Sequence, residues 1–139
     1  MWTFTLTKPS RTDSLLRHAA TQMREDLESG IAWVPWMMMR MDKEYKERRR
    51  ELPFLTDLPS TYVRQMFFAT QPIEEPENMQ EMATIISLFG GEKSVMFASD
   101  WPHHDFDHPS KVLQIPVSPE AQRNILCGNA TRFLKMEKT

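Results

Sequence analysis

The apolar positions of this chain change period as it proceeds. Trp2, Phe4 and Leu6 alternate with Thr3, Thr5 and Thr7, a pattern that predicts a short strand. After a turn around Pro9, Leu16, Ala20, Met23 and Leu27 recur at helical spacing. A helix is expected there, capped by Asp13 or Ser14 and ended by Gly30. Ile31 to Met39 is apolar almost throughout and must be buried or form a contact surface, and Pro35 suits the first turn of a helix beginning near Trp36. Met41 to Leu52 then reads as a charged helix, with Lys43–Glu47 and Glu44–Arg48 in i,i+4 register.

Beyond the loop Pro53 to Pro59, Ser60 is placed to cap a short helix through Tyr62 and Val63. Two short apolar runs follow, Met66–Ala69 and Ser94–Ala98. Each suits a strand buried on both faces. Between them, Pro76 to Phe89 carries the clearest helical stripe, Met79, Met82, Ala83, Ile86 and Phe89, closed by Gly90-Gly91. Strand, helix and strand form a βαβ unit, which predicts two parallel strands and a right-handed crossover. After Pro109 the loop is expected to continue through Pro116. Pro119 then begins a helix to about Leu126 or Cys127, and Gly128-Asn129-Ala130 opens a final short helix carrying Phe133 and Leu134.

Titratable residues concentrate where the second apolar run ends. Asp100 follows at once, Trp101-Pro102 stops the strand, and His103, His104, Asp105, Asp107 and His108 crowd one loop. Three of the chain's 4 His lie there. Loops leaving the carboxyl ends of parallel strands build the active sites of α/β proteins, so Asp100 and its loop are a candidate site. The plainer reading is an acid that caps a turn, followed by solvated histidines. His104, Asp107 and His108 fit that plainer reading best, although His103, Asp105 and His108 could cluster around a cation. Thr70-Gln71-Pro72 ends the first run in a similar way and puts Gln71 on the same rim. Cys127 has no His or basic partner in sequence and reads as a buried structural thiol.

The stretch SVMFASDWPHHDFDHP, Ser94 to Pro109, resembles the eighth-strand signature of the amidohydrolase superfamily. More narrowly it resembles the amidohydrolase-related branch that includes aminocarboxymuconate-semialdehyde decarboxylase. ESGIAWVPW (Glu28 to Trp36), Arg40-Met41-Asp42, LPSTYVRQMFFATQPIEEPE (Leu58 to Glu77) and Gly128-Asn129-Ala130 agree, in the family's order. The resemblance implies an α/β fold, the C-terminal portion of a TIM-type (β/α)₈ barrel, incomplete and helix-rich, with two or three parallel strands. It divides the chain into a divergent N-terminal segment, residues 1–27, and a barrel part, residues 28–139.

For chemistry, the resemblance implies a metal-dependent hydrolase or decarboxylase acting on a small organic substrate. Asp100 would be metal ligand and proton carrier, with His103, Gln71 and Glu28 facing the substrate. Arg40 and Asp42 would orient neighbouring segments. The implied cofactor is a divalent metal, zinc, in the complete family domain. Whether this chain binds any is left open, because the family's early His-x-His pair does not occur in it.

Composition narrows the rest. The chain has 139 residues, little more than half of the ~250 such a barrel takes. It is therefore expected to be inactive alone. The alternatives are a split-barrel subunit completed by an N-terminal half on another chain, and a non-enzymatic remnant that forms a homo-oligomer through its open edges and apolar faces. With 17 basic and 19 acidic residues and a net charge of -2, no overall field favours nucleic acid or an anionic membrane. The triplet Arg48-Arg49-Arg50 is interspersed with Glu44, Glu47 and Glu51 and lacks aromatics for base stacking. No apolar run approaches the ~20 residues of a membrane helix. One Cys and no secretory leader lead to the expectation of a soluble, cytoplasmic protein.

Overall fold

The computed structural model describes residues 30–136. The strand expected from Trp2 to Leu6, the helix expected over residues 14–27, and Glu28 lie outside them.

Gly30 begins the described chain with a φ of 65°, a left-handed conformation that glycine adopts freely. That turn presents two successive amides to the Glu74 carboxylate, Ile31 N–H at 3.1 Å and Ala32 N–H at 2.7 Å. A Cβ on Gly30 would collide with the Glu74 carboxylate, so the close approach also favours glycine. The first amides of a helix have no partner of their own, and a carboxylate suits the positive end of the helix dipole. Helix α1, Trp33–Glu47, runs from this cap. It is one helix where two segments are expected, because the charged half simply continues the turns set after Pro35. Val34, Met38 and Tyr45 face inward, while Trp36 and Met39 point outward at 61% and 64% exposure. Only part of the methionine run is therefore core.

The expected pairs form on the solvated side of α1, Lys43–Glu47 at 3.7 Å and Arg48–Glu44 at 3.5 Å. Arg49 lies over the Tyr45 ring. A 3₁₀ turn, Arg49–Glu51, follows. Helix α2, Pro59–Val63, corrects the expectation that Ser60 caps it. Pro59 fixes the first helical φ one residue earlier, which leaves the Ser60 amide as an orphan donor. Asp42 Oδ1 accepts that amide at 2.9 Å, so α1 orients α2 through a side chain.

Strand β1 is Phe68–Ala69, helix α3 is Gln80–Phe89 and strand β2 is Val95–Met96. The strands pair in parallel, Phe68 opposite Val95 and Ala69 opposite Met96. Both are shorter than the apolar runs; Met66 is still in the turn that leaves α2, its amide bonded to Val63 O. Helix α3 starts later than Pro76 because the Asn78 side chain turns the chain and accepts the Gln80 amide at 2.9 Å. Met82, Ala83, Ile86 and Phe89 bury the predicted stripe, and Phe89 meets Phe68 edge-on with centroids 5.4 Å apart. Gly90, at φ 75°, ends α3 by donating to the Ile86 and Ser87 carbonyls.

A short helix, α4 (Ser110–Leu113), interrupts the loop expected after Pro109. Helix α5, Pro119–Arg123, is capped by Ser118 Oγ, which accepts the Ala121 amide at 3.1 Å. A π-turn, Asn124–Gly128, joins it to α6, Asn129–Phe133. In that turn the Asn129 amide reaches back to Asn124 O and leaves Ile125 O free. Ile125 O accepts the Phe97 amide at 2.8 Å, and Asn129 Nδ2 donates to Val95 O at 2.6 Å. The C-terminal helices thus occupy the outer edge of β2. Ladder parity turns the Ala69 amide and carbonyl away from β2, and among the described residues no third strand meets them. Cys127 is exposed, which corrects its reading as a buried thiol. Ile125 and Asn129 take the inward positions one turn apart, and Cys127, two residues from each, faces out. Among the described residues no helix is long and apolar enough to cross a membrane.

Candidate functional site

The strands end in step. Past the ladder, Thr70 Oγ1 accepts the Ala98 amide at 3.1 Å, and Thr70 is 1% exposed. Beyond this clasp the chains diverge into two loops on the same side of the sheet. The β1 loop carries Thr70, Gln71, Pro72 and Ile73, with a cis bond between Gln71 and Pro72. Gln71 is 8% exposed. The sequence places this residue on the rim, and here it is buried two residues past the strand.

The β2 loop begins at Asp100, four residues past the strand. Asp100 takes a φ of 55°, a left-handed conformation that Asp tolerates better than most residues. The reversal lets the His103 amide return to Asp100 O at 2.9 Å and brings His103 Nδ1 to 3.1 Å from Asp100 Oδ2. With the ring protonated this is an ion pair; with a neutral Nδ1–H tautomer it is a hydrogen bond. The Trp101–Pro102 bond is cis, and Trp101 packs edge-on against Phe106 at 4.8 Å.

Asp100, His103 and Asp105 each offer a ligand atom, and the three atoms lie within 4.8 Å of one another. The alternative grouping of His103, Asp105 and His108 does not form. The turn at Asp100 draws His103 inward, whereas His108 Nδ1 is engaged 2.9 Å from Ser110 Oγ. His104 stays solvated, its side chain 95% exposed. One imidazole nitrogen and two carboxylate oxygens are donors of the kind a zinc or similar divalent site takes. All three residues are exposed, so a cation held there would keep solvent in its remaining positions.

Asp107 overturns its reading as a solvated loop residue: it is 2% exposed. Its own amide donates to Ser99 O at 2.9 Å, closing the β2 loop at its base. Its Oδ2 accepts the Ile73 amide at 2.8 Å, and its Oδ1 accepts from Lys111 Nζ at 2.9 Å. The carboxylate is buried because the β1 loop and α4 each supply a donor that needs an acceptor there. Lys111 also pairs with Glu75. The hydrogen bond to Glu75, followed by that to Asp107, raises the Lys111 pKa above its ordinary value. Sequence pattern alone gave little sign of this acid. The available signal was its i,i+4 spacing to Lys111 across Pro109.

A second polar anchor, Tyr62, sits at the far end of α1. Its hydroxyl pairs with Thr56 Oγ1 at 2.9 Å and accepts the Asp57 and Thr56 amides. The Thr56 hydroxyl first, then those amides, lower the Tyr62 pKa. Glu28 lies outside the described residues. Arg40 pairs with Glu44 at 2.7 Å on the surface of α1.

The amidohydrolase family model matches residues 27–136, which includes every described residue. The chain belongs to that family. No curated protein matches it.

Proposed function

We propose that this chain is the C-terminal part of a metal-dependent amidohydrolase-type catalytic domain, a (β/α)₈ barrel, and that it is inactive alone. The reaction class is hydrolysis or decarboxylation of a small organic substrate, in the manner of the aminocarboxymuconate-semialdehyde decarboxylase branch. The observation that carries this reading is Asp100, a half-exposed carboxylate at the carboxyl end of a parallel strand with His103 Nδ1 at 3.1 Å. A zinc ion bound there would supply an acidified water and polarise a substrate oxygen. Asp100, with His103 and Asp105, would hold it; the donor types and their mutual spacing fit. Asp100 also has the geometry to accept a proton and share it with His103. Gln71 and Glu28 are assigned to the substrate-facing wall. Further ligands come from a complementing N-terminal half that bears the His-x-His pair. The single, exposed Cys127 fits a reducing cytoplasmic setting.

The test is zinc-dependent turnover of amide, ester and carboxylic-acid substrates by the isolated chain, with its mass in solution measured alongside. No turnover is expected. Zinc-supported turnover by the chain alone would refute its dependence on a partner. A second reading, self-association without catalysis, draws on the exposure of Trp36, Met39, Leu134 and Met136. A metal-free oligomer unaffected by Asp100→Asn would favour it.

A further inference from the structure

We propose that Asp107 is the positioning residue of this site: its one buried carboxylate fixes the Asp100 loop against the Gln71 loop and so holds the three metal donors together. The inference rests on the metal-site reading of Asp100, His103 and Asp105.

The geometry is specific. Every residue from Asp100 to Phe106 is exposed, so the loop has little buried surface of its own to hold its shape. Two backbone bonds run inside it, His103 N–H to Asp100 O at 2.9 Å and Phe106 N–H to His103 O at 3.3 Å. Bonds this exposed exchange with water readily and do not fix a conformation on their own. The base of the loop is different. Asp107 is 2% exposed, and three segments converge on it: Ser99 through its own amide, Ile73 through Oδ2 and Lys111 through Oδ1. Ser99 immediately precedes Asp100, and Ile73 lies two residues past Gln71. One residue therefore sets both: its carboxylate fixes the separation of the two rims, and its backbone amide closes the donor loop at Ser99. Its removal leaves the Ile73 amide without its acceptor and lets the loop spread. Residues that orient ligands in this way typically change metal affinity by about 10- to 100-fold when altered.

The experiment uses the full chain and two readouts. The first is amide hydrogen exchange at Ile73, His103, Phe106 and Asp107, with α3 as internal reference. The second is zinc affinity by calorimetric titration. Asp107→Asn keeps the size of the side chain and loses its charge. Exchange at the four amides is expected to rise about tenfold or more with α3 unchanged, and zinc affinity to fall about 10-fold or more. Lys111→Met keeps the Ile73 and Ser99 bonds and is expected to show the same changes at a smaller size; it carries the test if Asp107→Asn does not fold. Ile86→Val loosens the core away from the loop and should leave both readouts within about twofold.

Unchanged exchange in the loop of folded Asp107→Asn overturns the proposal. So does zinc affinity that falls no further in Asp107→Asn than in Ile86→Val. If the unsubstituted chain binds no zinc, yet the loop amides open in Asp107→Asn, the metal-site reading fails and the clasp between the loops stands.

Discussion

The chain leaving β1 buries what it carries: Thr70, Gln71 and Ile73 are 1%, 8% and 6% exposed. The chain leaving β2 does the reverse, and every residue from Asp100 to Phe106 is exposed. Both loops start from the same parallel ladder and both contain a cis proline bond. The difference lies in where their polar groups find partners. In the β1 loop the backbone is held by a buried acceptor, Asp107. In the β2 loop the titratable side chains face water and each other, and Asp107 is the anchor. The titratable side chains can stay in solvent because a buried residue nearby does the holding.

The largest expected effect breaks the buried half of this comparison. Asp107→Ala removes the acceptor of both Ile73 and Lys111 and is expected to cost about 3 kcal/mol, measured by urea unfolding. Its exposed counterpart Asp105→Asn should change stability by less than about 0.5 kcal/mol, and a comparable loss would show that the β2 loop is not free. Gly30→Ala tests the other carboxylate clasp. A positive φ and a Cβ pressed against Glu74 predict a loss of about 1–2 kcal/mol.

The sharper test is in the sign of the pH dependence. The raised pKa of Lys111 means its contribution is complete below the ordinary lysine value, 10.5, and is lost as pH rises through the higher folded value. Tyr62 has the opposite sign. Its lowered pKa gives a contribution present above the unfolded value, near 10.0, and lost as pH falls through the folded value. Relative to the unsubstituted chain, Lys111→Met should therefore flatten the alkaline loss of stability, and Tyr62→Phe should steepen it. Unfolding midpoints from pH 8 to above 11 check both. The smallest effect is at Ser94, whose buried hydroxyl has no hydrogen-bond partner. Ser94→Ala should be neutral or stabilising by up to about 1 kcal/mol, since it removes a desolvated polar group.

Much of this architecture can be read from residue pattern. The stripe Met82, Ala83, Ile86 and Phe89 and the stop at Gly90 specify α3, because helical spacing and a left-handed cap are local properties. The two apolar runs locate the parallel strands for the same reason. Asp100 and His103 come together because the chain reverses at Asp100, a turn that residue order does not specify. Tertiary facts were not local. Asp107 looks like any loop acid until the Ile73 amide, 34 residues away, is seen to need it. Asp42 and Glu74 likewise cap helices that are distant in sequence. The facing of Cys127 depends on Ile125 and Asn129 taking the inward positions of a π-turn, a geometry that composition does not encode.

We propose above that Asp100 is the carboxylate around which a divalent site forms. Calorimetric titration of zinc into the full chain and into Asp100→Asn tests it most directly. The unsubstituted chain is expected to bind zinc, and the substitution to weaken that binding at least about tenfold with helical content unchanged. Superimposable isotherms for the two proteins would contradict it.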